Sequence, residues 1–556
     1  MSEADISPVY DYVVIGSGFG GSVSAMRLAQ KGYSALVLEQ GKRFRDEDFA
    51  KTTWDVRRYV WLPALRCFGI LQISPFKDVF VLHGAGVGGG SLGYANVLMR
   101  PDEEVFQNPS WRRLADWKPL LEPHYARAER MLGVTVNPCE WHADRLLCQI
   151  AGELDAGASF QPTRVAVFFG EAGAQGRAVP DPYFGGAGPQ RAGCTQCGAC
   201  MVGCRENAKN TLPKNYLYFA EKWGAQVLAE RRVVDILPLA PAQADGARYA
   251  VAHRSSTAWL GSPQETVRAR CVVVSAGTLG TLKLLTHCRE VTRSLPKLSA
   301  TLGSMVRTNS EALLGAVSRD TRVKYSEGIA ITSMFQPDPV TTIEPVRYPS
   351  GSSLMRFLSG PLMEGRGTTL GRFFKALGAV FLRLGDFYRT HIQPGWADRT
   401  TILLVMQTVD SHLNLRLGRS FFTLFRRGLV SSVADGRKIA GVIPIGHQVT
   451  RRFAALIGGA PAGSISESLL DVPMTAHIMG GCPMGRDDAE GVVDLHCEAF
   501  NYPGLYVIDG SIMPVNPGVN PSLTIAALAE YALSRVPVKP GATLIPFPYS
   551  EDFDNL

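Results

Sequence analysis

Residues 10–41 read YDYVVIGSGFGGSVSAMRLAQKGYSALVLEQG, and no other stretch limits the fold as strongly. A β-branched run at 13–15 enters a glycine-rich turn, a helical pattern follows, and a second apolar strand covers 35–38. Gly16, Gly18 and Gly21 form GxGxxG. This spacing gives a tight turn, lets backbone approach a pyrophosphate, and aims a helix N-terminus at the negative charge. Glu39 closes the second strand, where a carboxylate can accept from a ribose hydroxyl. A lone GxGxxG marks no more than a glycine-rich turn. With a strand before it, a helix after it and the acid correctly spaced, it predicts a dinucleotide-binding βαβ unit within a Rossmann-like α/β sheet. The motif does not choose between FAD and NAD.

Two further stretches narrow the choice. VLHGAGVGGGSLGYANVLMR at 81–100 places Gly84, Gly86, Gly88, Gly89, Gly90 and Gly93 within ten positions, a loop able to lie flat against a large ring or a second phosphate. PGLYVIDGSIMPVNPGVNPSLTIAALAEYAL at 503–533 reads as a strand at 505–508 closed by Asp509, then a loop, then a helix from about Ser522. Together the three stretches resemble those of the glucose–methanol–choline oxidoreductases, with most likeness to the cholesterol oxidase branch. The resemblance covers nearly the whole chain, and it is what implies FAD. It places cofactor contacts at Gly16, Gly18, Phe19, Gly21, Glu39, Gly86, Gly89, Gly90, Ser91, Asn96, Ala276, Asp509, Gly510 and Pro521.

At 556 residues, 46% of them apolar, the chain can bury two large cores. The resemblance implies a discontinuous FAD-binding domain over 8–105, 190–302 and 470–540. An α+β substrate domain on an antiparallel sheet would take 106–189 and 303–469. The pattern predicts a helix at 212–223, and Ser275-Ala276-Gly277 ends one strand and opens another helix.

Oxidising an alcohol requires a group to hold the hydroxyl and take its proton, an acceptor for hydride, and exclusion of water. MTAHIMGGCPMG places His477 before a glycine turn, and NPGVNPSLTI places Asn520 two residues before the last predicted helix. The resemblance gives His477 the proton, the flavin the hydride, and Asn520 the orientation of the alcohol. It also implies a buried carboxylate that moves a proton after oxidation to shift a ring double bond. Glu344, in VTTIEPVRYP, resembles that acid's setting, and Glu311, in VRTNSEALLG, is its rival. A salt-bridged or surface acid remains the plainer reading of either.

Four of the eleven cysteines, Cys194, Cys197, Cys200 and Cys204, fall in CTQCGACMVGC. C-x2-C-x2-C-x3-C is ferredoxin-type spacing, which predicts an iron–sulfur cluster, 4Fe–4S ahead of 3Fe–4S. Zinc and unligated redox thiols are the alternatives. Ferredoxins often follow the last cysteine with proline, and here Arg205 follows. Secreted cholesterol oxidases lack such a run, whereas some family members that feed cytochromes carry a cluster. The expectation is therefore a dehydrogenase with a one-electron exit, toward an acceptor protein or a quinone, with a cholesterol oxidase/isomerase that uses oxygen as the alternative. The non-enzyme alternative is a lipid-binding or redox-sensing flavoprotein.

The formal net charge is +7, and residues 364–427 hold ten Lys and Arg against four acids. A regional surplus of this kind suits an acidic partner or a membrane surface, or is simply a solvated face. No nucleic-acid motif accompanies it. Phe373, Leu377, Val380, Phe381, Leu384, Phe387 and Tyr388 share a helical stripe flanked by Arg372 and Arg383, with Lys375 opposite. That stripe either covers its own core or rests on a membrane at the mouth of a lipid pocket. The N-terminus has no signal-peptide pattern and no apolar run is long enough to span a bilayer, so the expected location is cytoplasmic, with contact at the inner membrane face. A sterol or other bulky hydrophobic alcohol is the expected substrate, with long-chain and sugar alcohols as alternatives.

Overall fold

The computed structural model describes residues 8–239, 245–259, 261–363, 369–434, 436 and 439–547. The segment before residue 8, read above for targeting, lies outside the described residues, as does part of the basic region at 364–368.

Two seven-stranded sheets carry the molecule. At the centre of the first, Val9–Ile15 runs parallel to Ala35–Leu38 on one side and to Glu265–Val274 on the other. Gln226–Leu228 extends the parallel run beyond Ala35–Leu38, and Leu505–Val507 lies parallel to the end of Glu265–Val274. Arg231–Pro238 and Tyr249–Ser255 complete the sheet as an antiparallel meander. Val13, Val14, Val37, Val272 and Val274 are fully buried, as expected where helices cover a parallel sheet.

The crossover helix Phe19–Gln30 is buried at every position. It packs on Ser522–Ser534, and Arg27 grips Glu530 in a two-pronged ion pair, Nε to Oε2 at 2.7 Å and an Nη to Oε1 at 2.9 Å. Tyr216 donates to the same carboxylate at 2.8 Å. Removing one partner would leave a buried charge, at a cost of about 3–5 kcal/mol. Gly16 adopts φ +96°, and a Cβ there would stand 2.2 Å from the Ser275 carbonyl oxygen, so the turn admits no side chain.

The second sheet is antiparallel throughout, in the order Ser359–Pro361, Ala460–Ser464, Ala312–Val317, Thr400–Gln407, Thr341–Val346, Ser333–Asp338, Gln161–Pro162. Helix Pro444–Leu456 covers it, burying Val449 and Phe453 against Leu314 and Val405.

The helix expected at 212–223 is a short 3-10 turn, Leu212–Lys214, followed by an α-helix, Tyr216–Lys222, because Asn215 breaks the run and caps the second piece. The apolar stripe is likewise split, into Thr369–Leu382 and Leu384–His391. It does not cover a core: Phe381 is 66% and Leu384 58% exposed. Arg372 is no surface flank. It is buried and donates to the Glu467 and Ser468 carbonyls.

Candidate active site

One cavity of about 900 Å³ runs between the two sheets. Among the residues read from sequence, Gly16, Gly18, Phe19, Glu39, Gly89, Gly90, Ala276, Asp509, Gly510 and Pro521 line it, together with Glu311, His477 and Asn520. The two glycine loops, the N-termini of three helices and the alcohol-site residues therefore face a single space. A Cβ built on Gly18 or Gly90 would meet no protein atom within 4 Å, so both glycines border open volume.

Glu39 is held in place by its neighbours. Ser17 donates to Oε2 from its backbone N at 3.0 Å and from Oγ at 2.7 Å, and Gly41 N donates to Oε1 at 2.8 Å. Burial raises its pKa, and these donors oppose the rise. Asp509, also raised by burial, accepts from Ser511 and Thr281. Four expected contacts do not reach the cavity. Gly21 sits behind the first turn, where a Cβ would stand 2.1 Å from the Gly16 carbonyl oxygen. Gly86 backs the strand exit at Gly41. Ser91 ties the second glycine loop to Leu212 N at 3.1 Å. Asn96 is fully buried behind the wall, and both of its amide atoms lack a partner.

The alcohol end is built by two neighbouring strands and a loop. Glu311 immediately precedes Ala312–Val317, and His477 follows Met474–Thr475, which pairs with Phe80–Gly84. Glu311, fully buried, lies 2.8 Å from His477 Nδ1 through Oε2. Ala476 N donates to Oε1 at 3.2 Å, and Thr475 Oγ1 is 3.0 Å from Oε2. A carboxylate accepting at Nδ1 fixes the proton there and leaves Nε2 as an unprotonated acceptor.

Glu344 is different. It lies in Thr341–Val346 opposite Leu404, fully buried, and neither carboxylate oxygen has a hydrogen-bond partner. Burial pushes its pKa up to about 8; the nearby Asn520 side chain opposes that rise and the charge of Glu311 adds to it. Asn520 faces Glu344 without closing a well-formed hydrogen bond, and its Oδ1 is also unpartnered. The rivals of the sequence reading are thus neighbours with separate chemistry, one tied to the imidazole and one a neutral acid at pH 7. Tyr348, Met355, Leu358, Trp396, Ile402 and Leu404 give the wall here a largely apolar lining, interrupted by Ser359, Thr400 and Ser464. The continuous apolar run at 402–406 within Thr400–Gln407 carries a signal for such a wall. Ser17 and Thr475, which position the acids, carried none.

The cysteine loop lies next door. Cys194, Cys197, Cys200 and Cys204 together border a second, small cavity that Lys209 and Gly328 also line. All eleven cysteines are free. Backbone holds the loop: Gly198 N donates to the Gly328 carbonyl at 2.7 Å, and Gly328 N returns a bond to Gln196 at 2.8 Å. Buried Lys209 donates to the carbonyls of Cys200, Leu92 and Tyr94, fastening this loop to the second glycine loop. Met201, between the third and fourth cysteines, lines the large cavity. Among the described residues no group of three or more His, Cys, Asp or Glu side chains is arranged to hold a metal ion.

GMC oxidoreductase family models match residues 10–288 and 461–529. The chain belongs to the GMC oxidoreductase family. It is an FAD-dependent oxidoreductase acting on CH–OH donors, and the glycine cradles, Glu39 and the open cavity fit that cofactor. Relatives include cholesterol oxidase of Acinetobacter baumannii, 46% identical over 533 residues and spanning 95% of each chain. Cholesterol oxidase of Mycobacterium tuberculosis (strain ATCC 25618 / H37Rv) is 45% identical over 541 residues, 96% of this chain and 92% of the relative. Among solved structures, pyridoxine 4-oxidase from Mesorbium loti superposes with a TM-score of 0.59 at 15% identity, over 95% of this chain and 99% of that one. No helix among the described residues is long and apolar enough to cross a membrane.

Proposed function

We propose that this GMC oxidoreductase oxidises the hydroxyl of a sterol or 3-hydroxysteroid to the ketone. The observation that carries this reading is the His477–Glu311 pair opening on an apolar cavity continuous with the cofactor cradle. Bound FAD supplies the hydride acceptor. His477 Nε2 takes the hydroxyl proton as the C–H bond gives up its electron pair, and the carbonyl forms. Glu311 keeps Nδ1 protonated and offsets the charge the imidazole gains. Asn520 orients the alcohol oxygen. Glu344, protonated at neutral pH, is our candidate for the group that moves a proton between ring carbons after oxidation; it sits beside Asn520, which lines the cavity, and is not itself part of the lining. Apolar walls exclude water and argue against a sugar alcohol. A long-chain alcohol is the second reading, favoured by the same walls and by a long-chain-alcohol oxidase from Arabidopsis thaliana at 26% identity.

The cysteine loop belongs to the same proposal. Cys194, Cys197, Cys200 and Cys204 would hold an iron–sulfur cluster, 4Fe–4S ahead of 3Fe–4S. In a cubane each thiolate meets a different iron, so the sulfurs surround a volume and do not converge on one point, as the four cysteines surround theirs. Such a cluster would supply a one-electron exit toward an acceptor protein or a quinone; Met201, inside the cysteine run, lines the large cavity and Lys209 ties the cysteine loop to the Leu92 and Tyr94 carbonyls, which supports that route. We further place the FAD-binding unit at 8–105, 190–302 and 470–540 and the substrate unit at 106–189 and 303–469. The location is cytoplasmic, which eleven free cysteines support, and the exposed stripe over 373–388 rests on the membrane face.

Anaerobic mixing with cholesterol, other 3-hydroxysteroids and long-chain alcohols tests the reading. Flavin absorbance should bleach fastest with a sterol, and no bleaching with any sterol overturns it. Iron and acid-labile sulfide in anaerobically purified protein test the cluster separately; their absence removes it and leaves the oxidation intact.

A further inference from the structure

The hairpin joining His412–Gly418 to Gly428–Val433 ends in a tip with no protein partner for most of its apolar surface. Phe421 is 72%, Leu424 76% and Phe425 68% exposed. Exposed apolar residues are ordinarily scattered singly, and here three stand within five positions of one turn. Residues 411–434 contain four arginines, Arg416, Arg419, Arg426 and Arg427, and no acid. All four are exposed. Arg427 lies 3.9 Å from Glu290, and among the described residues the other three make no ion pair.

The tip is a built feature. Ser420 N donates to Thr423 Oγ1 at 2.9 Å, and Thr423 N donates to Ser420 Oγ at 3.3 Å, closing the turn. Leu424 and Phe425 both hold left-handed backbone, φ +49° and +56°, a strained conformation for bulky side chains, and both remain in solvent. Phe422 turns back, edge-on to Phe80 with ring centroids 6.3 Å apart. Ser431 ties the hairpin base to Asp78 at 2.7 Å. Phe80 is two residues from Leu82, which lines the large cavity, so the tip is anchored to a strand that walls the active site.

We propose that this tip docks on an anionic lipid bilayer, with Phe421, Leu424 and Phe425 in the boundary between headgroups and acyl chains and Arg419, Arg426 and Arg427 on the lipid phosphates. A convex apolar tip inside a cationic collar matches the two layers of such an interface in order: apolar at depth, anionic at the rim. Arginine stems can lie along the apolar zone while their guanidinium groups stay at the phosphates. The proposal goes beyond the sterol reading and does not depend on it. It also concerns a segment separate from the stripe over 373–388.

The test is co-sedimentation of the FAD-loaded full chain with vesicles of phosphatidylcholine, alone or with phosphatidylglycerol, at low and high salt. The parent should bind the anionic vesicles, and binding should weaken with salt. The triple variants Phe421→Ser/Leu424→Ser/Phe425→Ser and Arg419→Glu/Arg426→Glu/Arg427→Glu should each weaken it by at least about ten-fold with flavin content unchanged. The charge-reversal triple, wholly at the surface, decides the matter if the serine triple folds poorly. Parent-level binding by the folded charge-reversal variant overturns the proposal, as does equal binding to both vesicle types regardless of salt. A parent that is dimeric in solution and becomes monomeric in the serine triple makes the occupant a second copy and overturns it too.

Discussion

The alcohol end of the large cavity and the cysteine loop are neighbours built on opposite plans. At the alcohol end a side chain is itself held: the His477 imidazole is fixed by Glu311, and Glu311 by the Thr475 hydroxyl and the backbone N of Ala476. In the cysteine loop it is the backbone that is wired, to Gly328 and through Lys209, while the four thiols face a void. A group that acts alone must be aimed in advance, because misalignment of its lone pair reduces the rate directly. A group that holds a guest needs only a loop of the right shape, because the guest completes its geometry on binding.

The largest effect that can break this contrast lies at His477. His477→Ala should leave flavin content intact and slow substrate-driven flavin reduction by ~10²-fold or more in stopped flow. A parent-like rate would deny the imidazole its proton.

Cys197→Ser tests the other side. Flavin reduction by substrate should stay near the parent rate, while turnover with a one-electron acceptor should fall sharply. Melting and flavin content serve as controls, since losing a ligand can unfold a loop. A flavin-loaded, folded variant that turns over the one-electron acceptor at the parent rate would make the loop structural.

Glu311→Gln sharpens the first side with a smaller loss, roughly ten-fold in the reduction rate, because the amide keeps the shape and loses the charge. If Glu311 acts through the imidazole it touches, the loss should fall on the rate at saturating substrate and leave half-saturation unchanged, with partial recovery in Glu311→Asp. A change confined to half-saturation would place Glu311 against the substrate instead.

What the sequence showed and hid follows the same division. Gly16, Gly18 and Glu39 lie within one βαβ unit, where spacing alone fixes geometry, and all three line the cavity. His477 and Glu311 are 166 positions apart, and their contact depends on how two sheets meet, which no local pattern encodes. Glu344 was legible as an acid among apolar residues, but its lack of partners needed the fold. Arg372 was misread because periodicity places a residue on a face without saying what packs there. It faces the Glu467 and Ser468 carbonyls.

The smallest expected effect concerns Glu344, and it separates a working acid from a structural one. Burial holds its pKa at about 8 against an ordinary 4.5, so the folded protein keeps a proton that the unfolded chain releases. The sign follows from linkage. This contribution to stability is fully present below pH 4.5 and is lost as pH rises to about 8. Glu344→Gln, neutral at every pH, should remove that slope, so denaturant midpoints of parent and variant should diverge in the variant's favour as pH rises from 4.5 to about 8 and hold a constant gap above it. If Glu344 also moves the proton after oxidation, the same variant should oxidise a 3-hydroxysteroid at close to the parent rate and release the ketone with its double bond unmoved. Product analysis by ultraviolet absorbance reads this directly, because only the shifted double bond is conjugated with the new carbonyl. A conjugated product from Glu344→Gln at the parent rate would assign the proton transfer elsewhere. It would leave Glu344 as a buried acid whose measurable trace is the pH slope in stability.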